Sequence, residues 1–214
     1  MIGAENVNLC SCENVNCYVI RGEKGDMLID TGSLKYRDYI ETWLTHYNVK
    51  LIMLTHGHID QSQNAKYFSE LYNAPVIISK YDCNLVLDNM SRGCYYLNPV
   101  GKVMDMILER RVHCADLPSR DKLLFAEEDS ADEAVKALGI EGDIISLDGH
   151  TRGSVGFVHG TDIYCGDAAV NFRGRLCEMP MCESPKAAKR SFRRIFDLVP
   201  ERIFCGHGDI YTTF

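Results

Sequence analysis

No apolar run in this 214-residue chain approaches the ~20 residues that a membrane span requires; Leu51–Leu54 and Val76–Ile78 are representative of what it has. The first residues, Met1–Leu9, carry Glu5 and Asn6 where a secretory leader has a basic region followed by an apolar one, so a soluble cytoplasmic protein is expected. An excess of positive charge is also missing. Lys and Arg number 23 against 30 Asp and Glu, a net charge of −7, and a field of that sign repels polyanions. Nucleic acid and membrane are therefore not expected as partners. There is no low-complexity tract and no block of like charge, which excludes a disordered, collagenous or coiled-coil chain.

Cysteine is abundant, at ten residues, but C-x-x-C spacing is absent, and with it the pattern of zinc ribbons and ferredoxins. Cys10, Cys12 and Cys17 are the densest group. A chain of this length buries roughly 70% of its unfolded surface and needs no disulfide scaffold, so the thiols are read as reduced, buried small hydrophobes. Hydrophobic residues make up 46% and charged residues 25%, which suits one globular domain over 1–214.

Short apolar segments bounded by Gly, Asp or Asn predict strands at Cys17–Ile20, Met27–Ile29, Leu51–Leu54, Val76–Ser79, Ile144–Leu147, Ser154–Val158, Asp162–Cys165 and Arg202–Cys205. Helical periodicity predicts helices over Leu34–Tyr47, Pro99–Arg110 and Ala131–Leu138. Another opens at Ser184-Pro185, a cap residue followed by Pro at the first helical position, with Ala188, Phe192, Ile195, Phe196 and Val199 on one side. Strands alternating with helices point to an α/β architecture with layered sheets. The stretch between Asn89 and Asp129 has the weakest pattern and is read as a surface connection or a lid.

The chemistry concentrates at strand ends. The strand Leu51–Leu54 runs into Thr55-His56-Gly57-His58-Ile59-Asp60-Gln61, so two imidazoles and a carboxylate leave one strand edge together. Two neutral imidazoles are the usual ligands of zinc or iron. His150 in Leu-Asp-Gly-His-Thr, Asp167 in Cys-Gly-Asp-Ala and His207 in Cys-Gly-His-Gly repeat one setting: strand, glycine, then a candidate ligand. Of the remaining histidines, His46 is read as packed or exposed on a helix, and His113 and His159 lack that setting.

This ordered set resembles the metallo-β-lactamase superfamily over nearly the whole chain. Asn16-Cys-Tyr-Val-Ile and Leu28-Ile-Asp30-Thr-Gly32 look like its opening strands, Thr55–Asp60 like its signature loop, and Gly149-His150-Thr151-x-Gly153-Ser154, Gly166-Asp167 and Gly206-His207 like its later ligand motifs. The resemblance implies an αββα sandwich: two facing mixed sheets with helices on the outer faces. It implies that His56, His58 and His150 hold a first metal and Asp60 and His207 a second, with Asp167 bridging and Asp30 orienting the site. The chain departs from the family's H-x-H-x-D-H at its last place, where Gln61 stands. An amide oxygen is a weaker, harder donor, so the second site binds zinc less tightly, takes another metal, or is dispensed with, Gln61 then bonding a water.

What the resemblance implies for activity is a hydrolase holding one or two zinc ions, with iron or manganese as alternatives. Its nucleophile is hydroxide, oriented by Asp60 as the catalytic acid–base, and its substrate a small ester, thioester or related activated carbonyl, closest in look to glyoxalase II-like members. Arg152, Asn171, Arg173 and Arg175 follow ligand motifs and are candidates for an anionic substrate group. Two other readings stay open: a mononuclear iron oxidoreductase resembling persulfide dioxygenases, and a non-catalytic metal-binding module. No oligomeric state follows from the sequence.

Overall fold

A computed structural model describes residues 8–13, 15–88, 92–107 and 115–213. In chain order the first part runs β1 (Asn8–Cys12), β2 (Val15–Ile20), β3 (Asp26–Ile29), α1 (Arg37–Leu44), β4 (Val49–Met53), α2 (Ile59–Ser62), α3 (Ala65–Tyr72), β5 (Val76–Ile78) and α4 (Cys83–Leu87). The middle adds β6 (Tyr95–Tyr96), α5 (Pro99–Ile107), β7 (Leu123–Phe125) and α6 (Asp129–Ala137). The rest comprises β8 (Asp143–Ser146), β9 (Val155–His159), β10 (Asp162–Gly166), β11 (Val170–Phe172), β12 (Arg175–Cys177), β13 (Met181–Cys182), α7 (Pro185–Asp197), β14 (Arg202–Cys205) and β15 (Tyr211–Thr212).

Two mixed sheets carry the molecule. The first has the order β1-β2-β3-β4-β5-β7, antiparallel from β1 to β3 and parallel from β3 to β7. The second has the order β15-β14-β10-β9-β8, with only β10 and β14 parallel. Side chains alternate across a strand, so each sheet must bury two faces. Tyr18, Ile20, Met27, Ile29, Leu51 and Met53 of the first sheet meet Phe157, Tyr164 and Phe204 of the second in a central layer. Val19, Leu28 and Ile52 point the other way, under Ile40 and Leu44 of α1 and Phe68 of α3. Ile163, Cys165, Ile203 and Cys205 face outward beneath Ile195 of α7. The layers are helix, sheet, sheet, helix, as expected from the sequence.

The two sheets are also tied by polar groups. The Tyr18 hydroxyl donates to the Cys205 carbonyl at 2.6 Å, and Asn16 Nδ2 donates to the Cys205 and Gly208 carbonyls at 3.1 and 2.7 Å. These bonds fix the end of β14, the segment that delivers His207.

Element boundaries differ from the sequence expectations in instructive ways. The helix expected over Leu34–Tyr47 begins as a single 3₁₀ turn at Leu34–Tyr36 and ends at Leu44, leaving Tyr39 on the solvent side. Val199, expected on the apolar side of the last helix, lies beyond its end at φ 50° and 81% exposed. His113 and the end of the helix expected to reach Arg110 lie outside the described residues. Cysteines are buried at positions 10, 12, 17, 165, 182 and 205, and no disulfide occurs among the described residues.

Candidate metal centre

Four strand ends open onto one site. β4 delivers His56 and His58 directly and Asp60 and Gln61 on the short α2; the turn after β8 delivers His150, β10 delivers Asp167 and β14 delivers His207. The rings of His56, His58 and His150 form a triangle with centroids 4.7 to 4.8 Å apart and planes nearly perpendicular in each pair. One nitrogen from each ring lies within 4.8 Å of the others. His150 Nε2 and His58 Nδ1 are 2.8 Å apart.

Asp167 sits among the imidazoles. Its Oδ2 is 3.8 Å from His56 Nε2, 3.4 Å from His150 Nε2 and 3.3 Å from His207 Nε2. His207 Nε2 also reaches Asp60 Oδ2 at 3.3 Å. All seven residues singled out in the sequence thus stand in or beside one cluster. Gln61 is fully buried, with its Nε2 3.5 Å from the Gly206 carbonyl. A Cβ on Gly206 would fall 2.3 Å from Asp167 Oδ1 and 2.8 Å from Gln61 Nε2, so only glycine lets this loop close over both.

Tautomers are set from behind. His150 Nδ1 lies 2.9 Å from the Met181 carbonyl, which makes Nδ1 the protonated nitrogen and frees Nε2. His56 Nδ1 is 3.1 Å from Thr55 Oγ1, and Thr55 donates in turn to Asp30 Oδ2 at 2.8 Å, while its backbone N–H reaches Asp30 Oδ1 at 2.8 Å. Asp30 is thereby the residue that orients His56. It holds φ at +60°, a conformation in which Asp and Asn are enriched among non-glycine residues.

Burial pushes the Asp30 carboxyl up to about 8, against two hydrogen bonds from Thr55. Burial also keeps His56 and His58 below the usual imidazole range, reinforced for His58 by the neighbouring imidazoles, so both are neutral donors. His207 is the opposite case. Burial opposes its charge, yet Asp167 and Asp60 hold its imidazolium well above the ordinary value. Burial likewise works against ionisation of the two acids, but the hydrogen bond and charge of His207 bring Asp60 to about 2 and hold Asp167 below the usual carboxylate range.

The donor set fits a divalent ion. His56 Nε2, Asp167 Oδ1 and Gln61 Oε1 are buried without a hydrogen-bond partner, an expensive arrangement unless a cation takes their lone pairs. His46 is exposed after α1 and His159 bonds the Glu141 carbonyl at 2.6 Å, so neither belongs to the site. Arg173 lies over the exposed Phe172 ring, and Arg175 is exposed on β12.

Sequence reading missed a supporting group. Asp82, fully buried where β5 gives way to α4, accepts from Gly57 N–H, Thr151 Oγ1, Gly153 N–H and Arg92. Its signal was present: an acid just past an apolar strand, as with Asp60 and Asp167, but without a glycine before it.

The family is defined at this point. Residues 11–207 match the model of the metallo-beta-lactamase superfamily, and the chain belongs to that superfamily. A probable metallo-hydrolase of Methanocaldococcus jannaschii is 24% identical over 202 residues, covering 91% of this chain and 88% of the relative. Among solved structures, TTHA1623 in a di-iron-bound form superposes with a TM-score of 0.65 at 24% identity, covering 95% of this chain and 92% of that one. ETHE1 from Myxococcus xanthus does so at 0.59 and 16%, covering 96% and 79%. Membership brings metal binding and hydrolysis as the superfamily's chemistry. No helix among the described residues is long and apolar enough to cross a membrane.

Proposed function

We propose that this protein is a metal-dependent hydrolase of a small ester, thioester or related activated carbonyl compound. One observation carries the reading: three imidazoles, two carboxylates and a fourth imidazole from separate strand ends converge, with His56 Nε2 and Asp167 Oδ1 left unpaired inside the protein. His56 Nε2, His58 Nδ1 and His150 Nε2 would hold a first ion. Asp60, His207 and the amide of Gln61 would hold a second, with Asp167 between them. A divalent ion so placed would supply Lewis acidity, polarising a carbonyl and lowering the pKa of water to about 7.

The chain's own groups do the rest. Asp60 is the acid of the set with the most exposed side chain, at 38%. Ionised throughout the neutral range, it accepts a proton from the attacking water at its carboxylate and returns it to the leaving group. Before the second position is filled, His207 Nε2 holds Asp60 Oδ2 in place at 3.3 Å. Neutral His56 and His58 need lose no proton to bind, which lowers the cost of loading the first position.

Zinc is the expected ion, with iron or manganese as alternatives; the di-iron relative supports iron, and Gln61 favours a harder ion at the second position. The test is metal content of protein expressed without added metal, with turnover on a panel of small esters, thioesters and lactones. At least one ion per chain is expected, with hydrolysis of one of these classes abolished by His58→Ala. Retained metal with no turnover on any of them would make the protein a non-catalytic metal-binding module. One iron per chain with oxygen-dependent oxidation of a persulfide would make it an oxidoreductase instead.

A further inference from the structure

The two loops that carry the three-histidine triangle come from different sheets. Thr55–His58 leaves β4 and Gly149–Gly153 follows β8. Between the sheets most of the contact is apolar packing, which is non-directional and cannot by itself fix two imidazole-bearing turns to a fraction of an ångström. One backbone bond, Val155 N–H to the Thr55 carbonyl at 2.8 Å, spans the loops. Beyond it and the 2.8 Å contact of His58 Nδ1 with His150 Nε2, a buried carboxylate joins them.

Asp82 Oδ2 accepts from Gly57 N–H at 2.9 Å, between the two histidines of the first loop, and from Thr151 Oγ1 at 2.6 Å, the residue after His150. Its Oδ1 accepts from Gly153 N–H at 3.0 Å and from Arg92 Nη1 at 2.9 Å. Both oxygens are saturated by donors. Contact is tight enough that a Cβ on Gly153 would stand 2.6 Å from Asp82 Cγ, and one on Gly57 would stand 2.7 Å from the Asp82 carbonyl oxygen. The glycines of H-G-H and of the His150 loop therefore make room for Asp82. Arg92 extends the connection: Nη1 bonds Glu183 Oε1 at 2.9 Å, Nη2 bonds the Tyr81 carbonyl, and Glu183 Oε2 accepts from Arg152 N–H at 2.8 Å.

We propose that Asp82 is the positioning residue of the metal centre: its carboxylate, charge-compensated by Arg92, clamps the His56–His58 loop to the His150 loop and so sets the affinity for the first ion. The proposal rests on the metal-centre reading above. A carboxylate is required because four donors face it and an ionised acid is acceptor-only, whereas an amide turns an NH₂ group toward donors on one side. Nothing in this role needs Asp82 to touch the ion or a substrate.

The test is affinity for zinc alone, by competition with a chromophoric chelator, together with the visible absorption of the cobalt(II)-loaded protein, which reports ligand geometry. Asp82→Asn, verified as folded by circular dichroism, is expected to bind zinc about 10- to 100-fold more weakly and to shift the cobalt bands. Thr151→Val, which removes one of the four donors, is expected to fall between it and wild type, and it carries the test if Asp82→Asn does not fold. Arg202→Gln is the control. It breaks the Arg202–Asp162 pair at the far ends of β10 and β14 and should lower stability without moving zinc affinity. Wild-type affinity in both Asp82→Asn and Thr151→Val, or an equal loss in Arg202→Gln, overturns the role of Asp82. A wild-type chain that takes up no metal overturns the metal-centre reading itself.

Discussion

Gln61 is where this site departs from its family's pattern, and its surroundings say what a substitution should do. The side chain is completely buried, its Oε1 is unpaired, and its backbone carbonyl is held by Thr31 N–H and Oγ1 at 2.7 and 2.8 Å. The backbone is thus pinned while the amide oxygen lacks a partner. Gln61→His places an imidazole on that pinned backbone and is expected to tighten the second ion, read as a rise toward two zinc ions per chain after dialysis. Unchanged stoichiometry and affinity would show that Gln61 does not face the ion. Asp30 gives a second residue-scale expectation. Its ordinary value is about 3.9 and its folded value about 8, so the folded chain binds the proton more tightly. Stability from this group is fully present below pH 4 and is lost as pH rises toward 8. Asp30→Asn keeps the +60° backbone and an acceptor for Thr55 N–H, and removes that dependence. In metal-free protein the variant should gain on wild type by up to about 1.4 kcal/mol per pH unit between pH 5 and 7 in urea melts. Parallel pH profiles would show that Asp30 is ionised in the folded chain.

Among the elements, the strands that end at candidate ligands were legible because each couples an apolar run to a polar residue within two or three positions. The helix α7 was legible for a different reason: Ser184 and Pro185 mark its start chemically, and Ser184 Oγ accepts from Ala187 N–H. The start of this helix also supports the site. Ser184 N–H bonds the Gly149 carbonyl at 3.0 Å and Glu183 N–H bonds the His150 carbonyl at 2.9 Å. Ser184→Ala should therefore cost about 1 kcal/mol of stability in denaturant unfolding and loosen the His150 loop. A loss well under 0.5 kcal/mol would place the start signal in Pro185 alone. What stayed illegible were elements held by partners remote in sequence. The two-residue strands β6 and β13 exist only through each other, Tyr96 pairing with Met181 and Tyr95 with Cys182 across more than 80 positions, and no local pattern encodes such a pairing. Asp82 was missed for the same reason: its partners at 57, 92, 151 and 153 are set by the meeting of the sheets. The α3 helix was missed although Ala65, Phe68 and Ser69 share one buried face: it is only eight residues long, and Asn64 before it binds the carbonyls of Thr31, Gly32 and Ser33 instead of capping it.

At the scale of the whole molecule, the candidate ligands divide between the two sheets: His56, His58, Asp60 and Gln61 follow the first, and His150, Asp167 and His207 belong to the second. An ion shared by both therefore acts as a cross-link that exists only in the folded state, beside the Tyr18 and Asn16 bonds that already join the layers. A ligand that binds the native chain a thousandfold above its dissociation constant stabilises it by about 4 kcal/mol, and for a chain of this size each kcal/mol moves the melting temperature by about 2 to 4 °C. Metal-loaded protein should accordingly melt about 8 to 16 °C above the chelator-treated form. The unfolded chain competes, however, because unfolding exposes the six cysteines buried among the described residues and thiolates favour zinc. The gain at equal saturation should thus be larger with manganese, which prefers oxygen donors, than with zinc. Calorimetry at matched saturation separates the cases: a melting temperature indifferent to removal of the ion would mean that the folded chain binds it no better than the unfolded one, and equal gains with both ions would mean that the cysteines play no part in the unfolded chain.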